Sequence, residues 1–284
     1  MGIAICRTRE ELRDRVRGWK CDGLKIAVVP TMGALHEGHL SLVRAALARA
    51  DRVIVTLFVN PRQFNSAADL AAYPRTEHED AEKLAPLGAH LLYVPDGEEV
   101  YPPGFATSVS VTGVSEGLCG AFRPGHFDGV ATVVAKLFLQ TAADYAFFGE
   151  KDYQQLLVVR RMACDLDIPI EVVGCPTVRE SDGLALSSRN RRLPDDTRGA
   201  AAGLSAALIA AQTDIEAGVP VAKALDEARV AIAALPGCRL EYLELRAAHD
   251  LAPLPEADRP ARLLVAAWFA DIRLIDNVAV NHSG

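Results

Sequence analysis

The chain has 284 residues, half of them apolar and 24% charged, enough to bury a core and too balanced for a disordered or fibrous polymer. Thirty Lys and Arg against 37 Asp and Glu leave a formal charge of −7, which repels a phosphate polymer, so no nucleic-acid partner is expected. The six cysteines, Cys6, Cys21, Cys119, Cys164, Cys175 and Cys238, have no C-x-x-C spacing, which argues against a zinc clasp or dithiol redox motif and for reduced, mostly buried thiols.

In chain order, Met1 to Lys20 carries Arg and Glu throughout and lacks an apolar stretch of signal-peptide length, while Cys6 stands where a myristoylation site needs Ser or Thr. A cytoplasmic protein is expected. Lys25 to Val29 predicts the first buried strand, and Leu40, Val43, Ala46 and Leu47 then recur at helical spacing. Val53 to Val59 predicts a second strand, halted by Asn60-Pro61, followed by a helix from Glu77 to Leu87 and a strand from His90 to Val94. Val130 to Leu139 predicts a helix, Tyr145 to Phe148 a strand, Gln154 to Leu166 a helix and Ile170 to Val173 a strand. Beyond Cys175-Pro176 the texture changes. Ser181 to Asp196 is dense in Ser, Arg, Asn and Asp, two Ala-rich helices are expected around 197–212 and 220–235, and Leu240–Leu245 and Leu263–Ile275 alternate as half-buried strands do. Gly199 to Gln212 is apolar but shorter than the roughly 20 residues a membrane helix needs, so no membrane partner is expected. The expected fold is α/β: a Rossmann-like parallel-sheet domain over 1–176 and a smaller C-terminal α+β domain over 177–284.

The loop after the first predicted strand reads Pro30-Thr31-Met32-Gly33-Ala34-Leu35-His36-Glu37-Gly38-His39. It is not H-E-x-x-H, since the second histidine comes one residue early, nor a P-loop, since His39 and Leu40 replace the lysine and hydroxyl residue. It offers two imidazoles three apart at a helix N-terminus, with glycines that let main-chain amides approach a ligand. Such a corner suits a polyphosphate, because imidazole donates to phosphate oxygens and titrates near neutrality. Taken alone, the pair is equally well explained by a histidine that merely caps the helix. A second element, Val178 to Arg192, sets Ser187 and Ser188 beside Arg189 as a mobile phosphate clamp, whereas Arg191 and Arg192 alone have the character of a solvated face. Between them, Phe148-Gly149-Glu150-Lys151-Asp152-Tyr153-Gln154-Gln155 places Lys151 where strand carboxyl ends present ligand-binding groups. The acidic residues Glu79, Asp80 and Glu82 fit the dipole of a helix N-terminus better than a metal site, and no metal ligand set is assigned.

These stretches, with Phe58-Val59-Asn60-Pro61-Arg62-Gln63-Phe64, Tyr73-Pro74-Arg75-Thr76, Arg123-Pro124-Gly125-His126-Phe127, Pro176 to Asp182 and Leu186 to Asn190, resemble in order and spacing the pantoate–β-alanine ligase (pantothenate synthetase) family of H-x-G-H nucleotidyltransferases. The resemblance covers nearly the whole chain. It implies an ATP-dependent condensation of (R)-pantoate with β-alanine through pantoyl adenylate, releasing pyrophosphate and AMP, with Mg2+ accompanying the ATP and a homodimeric assembly. It implies that His36 and His39 contact the phosphates, with His39 the general acid, and that Lys151, Ser187, Ser188 and Arg189 neutralise charge on the leaving pyrophosphate. The adenosine contacts it implies are Met32, Gly33, Ala34, Leu35, Glu37, Gly38, Gly149, Glu150, Asp152, Val178 and Leu186. Gln63 and Gln155 would grip pantoate, supported by Asn60, since an amide both donates and accepts. Leu186 stands where the family usually has Met, and Arg62 where a small or apolar residue is commoner; Arg62 either points to solvent or alters pantoate affinity.

Three rivals have sequence features of their own. The nearest is a related nucleotidyltransferase or ligase activating another carboxylic acid. A second is a module that binds ATP without turnover. The third rests on Gly113-Val114-Ser115-Glu116-Gly117, a formal G-x-S-x-G elbow, which is disfavoured because an elbow needs a strand before it and a helix directly after, whereas Leu118 to Gly125 is a breaker-rich loop. Arg123 to Phe127 is consistent with either a site or a subunit contact, and His126 is left out of the catalytic set.

Overall fold

The computed structural model describes residues 2–281. The chain separates into two compact units, Met1–Glu150 with Val158–Pro176, and Lys151–Leu157 with Thr177–Gly284.

The first unit opens with two elements that the predicted order lacks: a short strand β1 (Ala4–Cys6) and a helix α1 (Arg9–Cys21). Thr8 caps α1 and Glu11 reaches back to the cap, a T-x-x-E capping box that overrides the poor apolar content of the segment. The strand predicted as the first is therefore β2 (Ile26–Thr31), followed by α2 (Glu37–Leu47), β3 (Arg52–Leu57), α3 (Ala67–Ala71), α4 (Glu77–Leu84) and β4 (Leu91–Tyr93). Then come α5 (Gly97–Val100), α6 (Leu118–Phe122), α7 (His126–Thr141), β5 (Tyr145–Gly149), α8 (Tyr153–Asp165), whose residues up to Leu157 fall in the second unit, and β6 (Glu171–Cys175). The helix predicted from Val130 begins four residues earlier, because Gly125 in the left-handed region (φ 75°) starts it and Asp128-Gly129 does not break it.

The six strands lie in the order β1-β4-β3-β2-β5-β6, every neighbour parallel. Ile26, Ala27, Val28 and Val29 of β2 are fully buried, as expected for a central strand covered on both faces. From β2 the chain first steps outward to β3 and β4, then returns to the other side of β2 as β5. The carboxyl ends of β2 and β5 therefore flank the topological switch point, where open α/β sheets bind ligands.

The second unit holds α9 (Asp195–Glu216), α10 (Val221–Ala233) and an antiparallel sheet of β7 (Cys238–Ala247), β8 (Ala261–Phe269) and β9 (Ile272–Val280). Leu204, Leu208 and Ile232 of the helices pack with Leu263, Val265 and Phe269 of β8 in one core. The run Leu263–Ile275, predicted as one strand, is two: Ala270, at φ 52°, and Asp271 turn the chain between β8 and β9. The alternation continued across a two-residue turn, so pattern alone concealed the hairpin.

The expectation of mostly buried thiols fits Cys6, Cys119 and Cys175, whereas Cys21 and Cys164 are exposed. No helix among the described residues is long and apolar enough to cross a membrane.

Candidate functional site

The H-x-G-H corner lies in the first unit, on the loop from β2 into α2 at the switch point. His36 is the N-cap of α2, and His39 sits in its first turn with the ring centroids 4.1 Å apart. The His36 main-chain N–H donates to His39 Nδ1 at 3.4 Å. Met32, Glu37, Gly38 and both histidines are at least partly accessible, whereas Gly33, Ala34 and Leu35 are buried beneath them. Glu37 is exposed and pairs with Arg44 on the helix surface.

Two consecutive residues of this loop, Gly33 (φ 87°) and Ala34 (φ 52°), adopt positive φ, the second at a steric cost. What holds them is Asp80. Its carboxylate is fully buried and accepts from Ala34 N–H at 2.9 Å, Leu35 N–H at 2.8 Å and the Thr76 hydroxyl at 3.0 Å. Lys83 Nζ, 3.8 Å from that carboxylate, donates to the Leu35 carbonyl at 3.0 Å. A Cβ on Gly33 would come within 3.2 Å of the same carboxylate. Asp80 lies in the first turn of α4, as the dipole reading expects, and its carboxylate also anchors the H-x-G-H loop. The signal was available in Tyr73-Pro74-Arg75-Thr76 followed by a carboxylate four residues on, but only the fold places it under a loop 46 residues upstream.

A second polar group in this unit gathers Asn60 and Gln63. Asn60 is 1% exposed and donates through Nδ2 to Gln63 Oε1 and to the Gly129 carbonyl, each at 3.0 Å. Gln63 Nε2 in turn donates to Met32 Sδ at 3.1 Å, which joins the amide pair to the loop bearing the histidines. The Tyr101 hydroxyl donates to Asn60 Oδ1 at 2.8 Å, and burial pushes its phenol up to about 12. The main-chain N–H of Arg62 donates to Asn60 Oδ1 at 3.3 Å, but its side chain stays out of the amide cluster. Its guanidinium lies over Tyr101 and Phe105, 4.7 Å from each ring centroid, and donates to the Thr107 carbonyl.

Arg123, at the C-cap of α6, and His126, the first residue of α7, serve this cluster. His126 is buried; Arg123 donates to its Nε2 at 3.1 Å, so Nδ1 carries the proton and donates to the Gln63 carbonyl at 2.8 Å. Arg123 donates to that carbonyl as well, at 3.2 Å. Gly129 was missed by the sequence reading although a glycine inside an apolar helical run is a signal of close approach. A Cβ there would stand 2.3 Å from the Arg62 carbonyl oxygen.

Of the central stretch, Gly149 and Glu150 stay with the sheet unit, and a Cβ on Gly149 would meet no atom within 4 Å. Lys151, Asp152 and Gln155 belong to the second unit. Lys151 Nζ lies 3.7 Å from Asp152 Oδ2, with the lysine side chain only 19% exposed. Val178 to Leu186 forms a tight antiparallel turn: Leu186 N–H donates to Val178 O at 2.9 Å, Glu180 N–H to Leu184 O at 2.8 Å, and Gly183 (φ 92°) closes it. Ser187 caps the 3-10 turn Ser188–Arg192, its hydroxyl accepting from Arg189 N–H at 3.2 Å. Asn190, 8% exposed, donates to Glu180 at 2.7 Å, and Arg198 spans Glu180 and Asp182 at 2.6 and 2.7 Å. Ser187, Ser188 and Arg189 are half-buried on this tied segment.

The hydrolase alternative has no support in the local geometry, though one of its objections needs correction. Residues 118–122 do form a helix directly after the G-x-S-x-G, but residues 107–112 are not a strand, and Ser115 donates its hydroxyl to the Val111 carbonyl.

A corner of paired imidazoles at a helix N-terminus and at the switch point of a Rossmann-like parallel sheet, with a Ser- and Arg-bearing segment, Val178–Arg192, in the second unit, defines an α/β protein of the nucleotide-site class. The sequence model of the pantoate-beta-alanine ligase family matches residues 4–279, and the chain belongs to that family. It is 69% identical to the pantothenate synthetase of Chelativorans sp. (strain BNC1) over 280 residues, 99% of each chain. Among solved structures it is similar to pantothenate synthetase from Thermus thermophilus, with 47% identity, a TM-score of 0.92 and coverage of 99% and 100%. It is also similar to the Francisella tularensis pantoate-beta-alanine ligase complexed with beta-gamma ATP and beta-alanine, at 32% identity, TM-score 0.81 and 97% coverage of both chains.

Proposed function

We propose that the chain is an AMP-forming ligase that uses ATP to condense (R)-pantoate with β-alanine. The observation that carries this is the H-x-G-H corner, rings 4.1 Å apart at the N-terminus of α2, in a chain matched by the ligase family over residues 4–279. A carboxylate resists attack by an amine, so a leaving group must come first. A pantoate carboxylate oxygen attacks the α-phosphorus of ATP, the bond to the β-phosphate oxygen breaks, and pyrophosphate departs. The β-alanine amine then attacks the acyl carbon of pantoyl adenylate, loses a proton and expels AMP. Neither step requires a covalent bond to the protein; alignment and exclusion of water suffice.

Within this reading His39 is the general acid, and Nε2 is the nitrogen from which it would donate, since Nδ1 faces the His36 N–H. His36 and the first-turn N–H groups of α2 at Glu37 and Gly38 take phosphate oxygens. Lys151, Ser187, Ser188 and Arg189 oppose the charge that gathers on pyrophosphate as it leaves. Met32 to Leu35, Glu37, Gly38, Gly149, Glu150, Asp152, Val178 and Leu186 contact the nucleotide, and leucine at 186 preserves the apolar volume of the usual methionine. Gln63 and Gln155 hold pantoate, Asn60 orienting Gln63 through the bond at 3.0 Å.

ATP enters as its Mg2+ complex. The ion would supply positive charge at the phosphates, and among the described residues no group of three or more His, Cys, Asp or Glu is placed to hold a metal. Residues 1–176 are assigned as the ATP- and pantoate-binding domain and 177–284 as a smaller lid domain, in a cytoplasmic homodimer whose stoichiometry light scattering would test. The activity test is an assay with ATP, Mg2+, pantoate and β-alanine. Pyrophosphate and AMP should appear together, and omission of pantoate should stop pyrophosphate release. Faster turnover with a different carboxylic acid would overturn the substrate, and ATP binding without turnover would overturn the enzyme.

A further inference from the structure

Strand β9 is apolar except for two adjacent polar residues, Asp276 and Asn277, each 3% exposed, and the cation Arg273 near its start. Successive residues of a strand face opposite sides of the sheet, and these two reach different partners. Asp276 receives the guanidinium of Arg179 through two bonds at 2.6 and 3.0 Å and the Ser205 hydroxyl at 2.6 Å. Arg179 begins the tight turn from which Ser187, Ser188 and Arg189 follow, and its guanidinium also donates to the Gly183 carbonyl at 3.1 Å. Asn277 Nδ2 donates to the main-chain carbonyl of Lys151 at 3.0 Å, while its Oδ1 accepts from Arg262 at 2.9 Å. Arg262 lies over the Tyr153 ring at 4.1 Å, and the Tyr153 hydroxyl donates to the Ala248 carbonyl at 2.8 Å.

Lys151 and the Ser187–Arg189 segment, far apart in sequence, are thus tied to neighbouring residues of one strand. Stability alone does not explain the pair, because replacing a buried ion pair by well-packed apolar residues is often neutral or stabilising. A carbonyl at 151 held from the sheet does more than satisfy an acceptor: it sets the Cα position, and hence the reach, of the lysine side chain.

We propose that Asp276-Asn277 registers the cationic machinery, and that Asn277 is a positioning residue acting through Lys151. This rests on the reading that Lys151 opposes charge on the departing pyrophosphate. The test is a double-mutant cycle in the full chain with Asn277→Ala and Lys151→Ala, read as the pantoate-dependent rate of pyrophosphate release at saturating ATP and pantoate. Asn277→Ala should lower the rate by about tenfold or more in the native background, since small misplacements of a catalytic group are costly. In the Lys151→Ala background it should lower the rate less than twofold. A native-like rate for Asn277→Ala, or an equal loss in both backgrounds, overturns the positioning role. Asn277→Asp keeps the acceptor for Arg262 and removes the N–H given to Lys151, so it should show the same loss; it carries the test should the alanine variant not fold, and a native rate for it overturns the proposal. Full activity of Lys151→Ala alone would overturn the phosphate role of that lysine, and the inference with it, whereas a slow Lys151→Ala beside an unaffected Asn277→Ala overturns the inference only.

Discussion

The two regions assigned to phosphate chemistry are held in place by different means. In the H-x-G-H corner, main-chain N–H groups of Ala34 and Leu35 point into one fully buried carboxylate, Asp80, and the positive φ of Gly33 and Ala34 is stabilised by those bonds. In the Val178–Arg192 segment the ties are between side chains: Arg179 to Asp276, Arg198 to Glu180 and Asp182, and Asn190 to Glu180. A corner tied through its main chain has a shape set by the loop itself. A segment pinned through long charged side chains presents cations whose position depends on residues elsewhere, one of them 97 positions away. The lesson is that the first kind of site is damaged by distorting a few backbone angles, the second by removing any one of several distant partners.

The largest effect should come from the second region. Lys151→Ala should lower pantoate-dependent pyrophosphate release by about 100-fold or more, with the circular-dichroism spectrum unchanged, because transition-state charge loses a fixed counter-charge. Next, Asp80→Ala should break the corner by leaving the buried Leu35 N–H without an acceptor and the Ala34 N–H with only the Thr76 hydroxyl. An unsatisfied buried donor costs about 1–3 kcal/mol, so a thermal midpoint several degrees lower is expected, together with slower adenylate formation. If Asp80→Ala kept both the midpoint and the rate, the contrast between the regions would be lost. Gly129→Ala sharpens it from another side: the added Cβ would push the Asn60–Gln63 turn away, at about 1–3 kcal/mol, and should raise the KM for pantoate far more than that for ATP. Arg62→Ala removes stacking on Tyr101 and Phe105 worth about 0.5–1 kcal/mol, and the KM for pantoate should change by less than about threefold.

The smallest effect concerns pH. Burial first, then the Arg52 charge, hold the His90 imidazole below its ordinary 6.5, and its Nδ1 accepts the Val53 N–H at 3.1 Å. As pH falls through 6.5, the unfolded chain takes up a proton that the folded ring resists, so stability present at neutral pH is lost on acidification. Thermal midpoints should fall from pH 7 to pH 5, and less steeply for His90→Asn; equal slopes would remove His90 from the account.

The central strands were legible because parallel strands buried on both faces are written as unbroken apolar runs, such as Lys25–Val29 and Val53–Val59. The histidine pair was legible too, since its spacing is local to a single helical turn. The first strand, at three residues, was too short to leave a pattern, and the β8–β9 hairpin was hidden by alternation that ran on through its turn. Arg62 could not be assigned from sequence because a cation beside an amide can face either way; the aromatic pair that decides it comes from a loop about 40 residues on.

The sequence by itself determined the class of sheet, the order of most elements and the residue types brought to the chemistry, because hydrophobic period and short motifs are properties of neighbours along the chain. Only the tertiary structure decided what supports those residues. Asp80 reads as an ordinary helix-start acid, Gly129 as a weak point in a helix, and Asp276-Asn277 as an interruption in an apolar strand. Each takes its meaning from a partner tens of residues distant, and a hydrogen bond at 2.6–3.0 Å depends on where two segments meet in space, which no local pattern encodes.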